Sequence, residues 1–112
     1  MTDTVPKPQP ALRDYLSVPY RIEAQALEVR PGHWVRHAAY PELPGCTAQA
    51  ATIEETLERL ERRRIEIIAT MVRAGERPPM PRPPLADCDP EGLIERLGLH
   101  DALALLLDPG KQ

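Results

Sequence analysis

The sequence predicts an α+β fold in which a small antiparallel sheet of three to four strands packs on one long helix, followed by short C-terminal helices. Residues 20–26 and 33–39 each alternate apolar and polar side chains, which is typical of half-buried strands. Residues 53–72 instead repeat apolar side chains at helical spacing. Because a sheet face and a helix stripe must both be buried, this order of elements predicts one layer of each.

The composition excludes several classes of protein before any motif is considered. The chain has 112 residues, enough for one domain with a modest core, and a formal net charge of −3. It contains no run of about 18 apolar residues, so we expect no membrane-spanning helix. The first residues lack the basic and apolar pattern of a signal peptide, which favours a cytoplasmic protein whose two cysteines are reduced.

The fourteen prolines divide the chain into three regions. Residues 1–13 alternate proline with polar residues and are interpreted as a flexible arm. Residues 14–84 form the predicted domain, which ends in a proline cluster at 78–84 that neither a helix nor a central strand tolerates. Residues 85–112 form a leucine-rich tail with six acidic and two basic residues. The tail therefore carries a net charge of −4, and the rest of the chain sums to +1.

Turn signals define the remaining sheet elements. The alternation slips at residues 27–29, which indicates a bulge or a frayed strand end. Residues 30–32, Arg-Pro-Gly, predict the turn of a hairpin. Two prolines and a glycine in residues 40–45 predict a structured loop, and residues 46–50 a short third strand.

The long helix has clear start and stop signals. Thr52 and Glu55 form a capping-box pattern, in which the Thr52 hydroxyl accepts the Glu55 amide and Glu55 reaches back to the amide of Thr52. Gly75 is a natural residue to end the helix. Arg64 interrupts the apolar stripe, and Ile65 widens it in the second half. One sheet face rarely covers such a wide arc, so we expect a second packing partner.

The tail carries helix signals of its own. Asp89 followed by Pro90 is typical of an N-cap and first helical position, and Gly98 of a helix end. Residues 101–107 are apolar on nearly every side, so they must dock on this chain's own sheet or helix, on a symmetry mate, or on a partner protein. The residues that we predict as a possible interface are Arg64, Ile65, Ile68, Leu103, Leu106 and Leu107.

No residue pattern indicates catalysis, a metal site or a cofactor. His33 and His37 would lie about 13 Å apart along a strand at about 3.3 Å per residue, too far to share a metal ion. Cys46 has no neighbouring base in the sequence and is interpreted as a small buried side chain. The predicted sheet offers only Glu23 and Glu28, where a nuclease of the ribonuclease H type needs several converging carboxylates.

One stretch of the chain resembles a known family. The residues before the third strand, followed by the Thr-Ile-Glu-Glu start of the helix at 52–55, are similar to the signature of HicB-like antitoxins. The proline-rich end of that family is matched by residues 79–81, and the likeness covers about residues 14–81. The loop that carries the resemblance consists of Pro41, Glu42, Leu43, Pro44, Gly45 and Cys46.

The resemblance implies a truncated ribonuclease H-like sheet and a role in neutralising HicA, a small toxin that cleaves messenger RNA. Many family members add a C-terminal DNA-binding module, whereas this tail is short and acidic. A DNA-binding surface needs basic residues to neutralise phosphates, so we expect no direct DNA binding. We expect the partners to be a second copy of this chain, in a homo-oligomer, and a small basic toxin.

Three hypotheses follow, in order of preference. The first is an antitoxin that acts by protein contact and is not an enzyme. The second is an orphan HicB-like regulatory or ligand-binding oligomer, favoured by Ala50 and Ala51 where the family usually has Gly-Asp. The third is a residual metal-dependent nuclease, whose activity would be lost on Glu23→Ala.

Overall fold

A three-stranded antiparallel sheet and one helix of 21 residues form the centre of the molecule. The computed structural model describes residues 10–108, so residues 1–9 of the predicted arm and the last four residues of the tail lie outside the described part. The fold class is α+β, as the sequence predicts. The elements in chain order are α1 (Leu12–Leu16), β1 (Glu23–Arg30), β2 (His33–Ala39), β3 (Thr47–Ala50), α2 (Ile53–Arg73), α3 (Pro90–Leu97) and α4 (His100–Leu107).

The strand order in the sheet is β1-β2-β3, with both pairs antiparallel. The register of the first pair runs from Glu23 opposite Ala39 to Glu28 opposite Trp34, and then shifts before Arg30. This irregularity lies where the alternation slips in the sequence, so the predicted bulge is confirmed. β3 pairs with only the last four residues of β2, and the far end of the hairpin is therefore two strands wide.

Helix α2 covers one face of β2 and β3. Ala38 on β2 and Ala50 on β3 are buried beneath it, and the Thr56 hydroxyl donates a hydrogen bond to the Arg36 carbonyl oxygen at 3.3 Å. Strand β1 is exposed along its whole length except at the half-buried Leu27. The prediction of a half-buried first strand from residue 20 is therefore wrong, because the helix lies over the other two strands.

The ends of α2 follow their predicted signals in part. The Thr52 hydroxyl accepts the Glu55 amide at 3.2 Å, as expected for an N-cap. The Glu55 carboxylate contacts that hydroxyl at 3.4 Å instead of the Thr52 amide, so the reciprocal half of the capping box is not formed. At the other end Gly75 adopts a φ of +80°, and the Glu76 amide donates to the Met71 carbonyl at 2.8 Å. This bond and the left-handed conformation of Gly75 form a Schellman motif at the end of α2.

The opposite side of α2 packs on α1, α3 and α4. Ile65 and Ile68 of α2 are completely buried and belong to one core with Leu12 of α1, Ile94 of α3 and Leu105 of α4. These three short helices are the second packing partner that the wide apolar arc of α2 requires. The sequence did not reveal α1, and the domain boundary predicted after residue 13 falls inside it.

The proline-rich segment returns along the start of the chain and brings the tail back to the core. The Tyr20 hydroxyl donates a hydrogen bond to the Pro79 carbonyl oxygen, and the Leu85 amide donates to the Ser17 carbonyl at 2.8 Å. Pro78 is buried. An extended segment without helix or strand thus joins α2 to α3 and helps to fix their relative positions.

Candidate protein-binding surfaces

The loop that carries the family resemblance closes on itself between β2 and β3. The Tyr40 amide donates to the Cys46 carbonyl at 3.0 Å, and the Leu43 amide donates to the Tyr40 carbonyl at 3.0 Å. Gly45 has a φ of +81°, a backbone conformation that residues other than glycine rarely adopt. Leu43 and Cys46 are each 1% exposed. The loop's apolar residues therefore belong to the core.

Glu42 connects this loop to two other segments. Its carboxylate accepts the Arg21 amide at 2.8 Å and both terminal nitrogens of Arg82, at 2.7 and 3.1 Å. Two hydrogen bonds hold the pKa of the Glu42 carboxyl below its ordinary value. The bond from Arg82 has the larger effect, and the bond from the Arg21 amide has the next largest. Pro41 and Pro44 are exposed beside it. These contacts fix the loop against the segment before β1 and against the proline-rich segment after α2.

The buried cysteine, Cys46, is not arranged as a nucleophile. The Cys46 thiol lies 3.8 Å from the Leu60 carbonyl oxygen, and burial raises its pKa to about 11. Such a thiol stays protonated at neutral pH and is unreactive. Cys88 is exposed and also free, and its sulfur lies 4.0 Å from the Ser17 carbonyl oxygen.

Arg64 is the centre of a buried polar network. Its Nε and Nη2 donate to the Glu61 carboxylate at 2.8 and 3.1 Å, and its Nη1 donates to the Leu16 carbonyl at 3.0 Å. The Tyr40 hydroxyl donates to the same carboxylate at 2.7 Å. Burial and the nearby Glu61 charge raise the pKa of Tyr40. Arg64 thus ties α1 and the β2 end to α2.

Most residues that the sequence suggested for an interface lie inside the protomer, and this corrects that prediction. Ile65 and Ile68 are 0% exposed and Leu106 is 8% exposed, because α1, α3 and α4 cover them together with Arg64. Leu103 is half-buried against the same core. Leu107 alone remains largely exposed, at 63%. The leucine-rich tail therefore docks on its own domain.

The acidic and histidine side chains of the sheet do not converge. Glu23 and Glu28 point to opposite faces of β1, and they contact Arg21 at 3.4 Å and the Gly32 amide at 3.0 Å respectively. Within residues 10–108, no three His, Cys, Asp or Glu side chains are placed together to hold a metal ion. The described residues thus provide no carboxylate cluster for the nuclease hypothesis.

Two open depressions lie on the surface of the described part of the chain. One, of about 310 Å³, is a groove between β1 and the start of α2, lined by Ala24, Gln25, Ala26, Arg36 and Ile53. The other, of about 360 Å³, lies between α2 and the start of α4. Its polar lining mixes Glu66, Arg73, His100 and Asp101, so no single ligand charge is favoured.

The tail carries exposed acidic side chains before α3, on α3 and at the start of α4. Asp87, Glu95 and Asp101 are exposed, and Arg96 is the one basic residue between positions 85 and 108. Glu91 differs from these acids because it forms an ion pair with Arg13. We refer to Asp87, Glu95 and Asp101 as the acidic surface.

Exposed apolar side chains distinguish the hairpin from the rest of the sheet. Trp34, the only tryptophan in the chain, is 58% exposed on β2, and Val29 is 54% exposed at the bulge. The scarcity of aromatic residues in the sequence suggests a small aliphatic core built around Trp34, and the exposure of Trp34 shows that this prediction is wrong. The alternation of apolar and polar residues predicts the two strands, but it does not indicate whether a helix covers them.

Comparisons with known proteins identified no relative of this chain. No protein-family model, curated protein or solved structure matches the chain. None of the helices in residues 10–108 is sufficiently long and apolar to cross a membrane. The likeness to HicB-like antitoxins thus depends on the loop at 41–46, the helix start at 52–55 and the proline-rich end at 79–81.

Proposed function

We propose that this chain is a HicB-like antitoxin that binds and neutralises a small toxin of the HicA type by protein contact, without catalysing a reaction. The fold supports this proposal, since the resemblance implies a small sheet on one helix. The loop supports it as well, because the residues that resemble the family signature join β2 to β3 at the position the family pattern requires. The proposed site of action is the cytoplasm, where messenger RNA is translated.

The acidic surface is the observation that carries the choice of partner. A toxin that binds messenger RNA must present basic residues to the phosphates. Such a face is complementary to the exposed acids Asp87, Glu95 and Asp101, which outnumber the nearby cations, Arg96 of the tail and Arg73 of α2 beside Asp101. Contact there would cover the toxin's RNA-binding face with protein carboxylates. Neutralisation then requires no enzymatic step.

Co-expression tests the proposal directly. The chain is expressed together with the small basic product of an adjacent reading frame, and growth and co-purification are measured. We expect growth to be rescued and the two proteins to purify together, with weaker association at high salt because exposed charges are screened. If the adjacent frame encodes no small basic protein, or if growth is not rescued, the antitoxin proposal is contradicted.

A pair of charge-reversal variants separates the acidic surface from net charge. Asp87→Lys combined with Glu95→Lys changes the net charge by +4, and both positions are exposed. Glu58→Lys combined with Glu76→Lys makes the same change at exposed positions outside the tail. We expect only the first variant to lose growth rescue. Equal loss in both would show that overall charge, and not this surface, determines binding.

A second candidate function is an orphan HicB-like oligomer that regulates or binds a ligand. The groove of about 310 Å³ beside β1 favours it, because this depression is open and partly apolar. This candidate predicts no toxin in the gene neighbourhood and no effect of the tail variants on growth. The co-expression test therefore distinguishes the two candidates.

A further inference from the structure

Strand β1 has an outer edge that no other strand within residues 10–108 pairs. It is the outer strand of the sheet, eight residues long, and all of its residues except Leu27 are exposed. Natural proteins protect such edges with proline, lysine or a bulge, because an open edge pairs readily with another strand. β1 contains neither proline nor lysine, its charged residues Glu23, Glu28 and Arg30 lie at its two ends, and its bulge lies between Glu28 and Arg30. Residues 24–27, in the middle of the edge, therefore carry none of these protections.

The side of β1 that faces the same way as α2 is small and apolar. Ala24 and Ala26 lie opposite Ala38 and Arg36 of β2, on the face that α2 covers further along the sheet. Ile53 and Leu57, in the first turns of α2, are 39% and 38% exposed. The groove between strand and helix is thus lined by Ala24, Ala26 and Ile53 together with the polar Gln25 and Arg36, and no further residue between 10 and 108 lines it.

We propose that β1 pairs antiparallel with β1 of a second copy of this chain, forming a continuous six-stranded sheet. A two-fold axis perpendicular to the sheet relates the copies and places both α2 helices on one face. The two grooves then meet, so that Ala24, Ala26, Ile53 and Leu57 of each copy share one apolar layer across the axis.

The charges at the ends of β1 fit this arrangement. The strand begins with an acidic residue, Glu23, and ends with a basic one, Arg30. Antiparallel pairing brings the acidic end of one copy towards the basic end of the other, and opposite charges across strands are stabilising. Parallel addition would align like ends. Of the two orientations of a second copy, the end charges thus favour the antiparallel one, in which Glu23, besides its contact with Arg21 at 3.4 Å, approaches Arg30 of the other copy.

The required contact area explains why the groove must take part. A standard interface buries about 800 Å² per partner. The edge of an eight-residue strand is about 27 Å long and about 10 Å thick, which supplies roughly a third of that area. Ile53, Leu57 and the exposed faces of the hairpin are adjacent and supply further apolar area. The dimer does not depend on the proposed toxin binding, and its test uses the purified chain alone.

Sedimentation analysis of the full-length chain tests the dimer. We expect the wild type to sediment at twice the chain mass of 12.5 kDa, and Ala26→Lys to sediment as a monomer because like charges then meet across the axis. Ala104→Lys makes the same change at an exposed position of α4 and should remain dimeric. Dissociation of Ala104→Lys but not Ala26→Lys would overturn the proposal in favour of a contact through the tail.

Charge complementation excludes misfolding as the cause of dissociation. Ala26→Lys and Ala26→Glu should each be monomeric alone and should form a dimer when mixed, because lysine then faces glutamate across the axis. A mixture that stays monomeric overturns the proposed pairing. A wild-type chain that is monomeric alone and associates only with a small basic protein also overturns it, and would assign the edge to the toxin.

Discussion

The helical side of the molecule and the β1–β2 hairpin are built from different side chains and do different work. On the helical side, α1, α3 and α4 enclose the aliphatic residues of α2, and Ile65 and Ile68 have no exposed surface. The outer half of the hairpin has two strands, is exposed except for the facing pair Leu27 and Val35, which is half-buried, and carries Trp34. A two-stranded ribbon is marginally stable by itself. From this difference we infer that the packing of the helices contributes most of the free energy of unfolding. The hairpin contributes less and is suited to contacts outside the chain.

The largest expected effect comes from emptying the helical core. Ile68→Ala removes a completely buried side chain between α2 and its covering helices, and we expect a loss of about 4 kcal/mol in the free energy of unfolding. Val29→Ala, at an exposed hairpin position, should change it by less than about 0.5 kcal/mol. Urea unfolding at low protein concentration measures both. Similar losses in the two variants would contradict the division between the regions.

A smaller effect is expected from the buried polar network. Arg64→Ala leaves Glu61 without its cation and the Leu16 carbonyl without its donor, and should cost about 3 kcal/mol. The exposed neighbour Arg63 provides the control, since Arg63→Ala should have an effect within about 0.5 kcal/mol. Thermal unfolding of both variants checks this. An Arg64→Ala protein as stable as wild type would show that the network contributes little beyond its own desolvation cost.

The smallest expected effect concerns pH and the clamp between Glu42 and Arg82. Hydrogen bonds from Arg82 and from the Arg21 amide lower the pKa of Glu42, so its contribution is present above the ordinary glutamate value of about 4.3. It is lost as the pH falls through the lowered pKa of the folded state. Glu42→Gln should therefore be less stable than wild type at pH 7, and the difference should shrink towards pH 3.

Unfolding curves across this pH range measure the difference, with the exposed Glu58→Gln as the matched control. A gap between wild type and Glu42→Gln that widens in acid would contradict the assignment, because it would mean that the neutral carboxyl is the stabilised form.

The sequence predicted the elements whose signals are local. The bounds of β2, the Thr52 cap and the helix between Asp89 and Gly98 all follow from capping residues and turn residues that act within a few positions. The five residues of α1 are too few to show a helical period, and they follow a proline-rich stretch. Their role depends on α2 and α4, which are distant in sequence.

What covers an element could not be predicted in the same way. Apolar spacing identifies Ile65, Ile68 and Leu106 as side chains that must be buried, but it does not say whether the same chain or another one covers them. Conversely, the alternation in β1 indicates a strand whether or not a helix lies over it. These two errors of the sequence analysis concern tertiary contacts, which the spacing of residues does not encode.

Amide hydrogen exchange tests the contrast between the two regions most directly. The outward amides of β1 are open in a single protomer and bonded when two edges pair. Among residues 23–28, we predict slow exchange for these outward amides in concentrated wild type, and faster exchange on dilution or in Ala26→Lys. The amides of α2 should stay protected throughout. Fast exchange in β1 at every concentration, with no difference in Ala26→Lys, would contradict the account of the hairpin as an association surface.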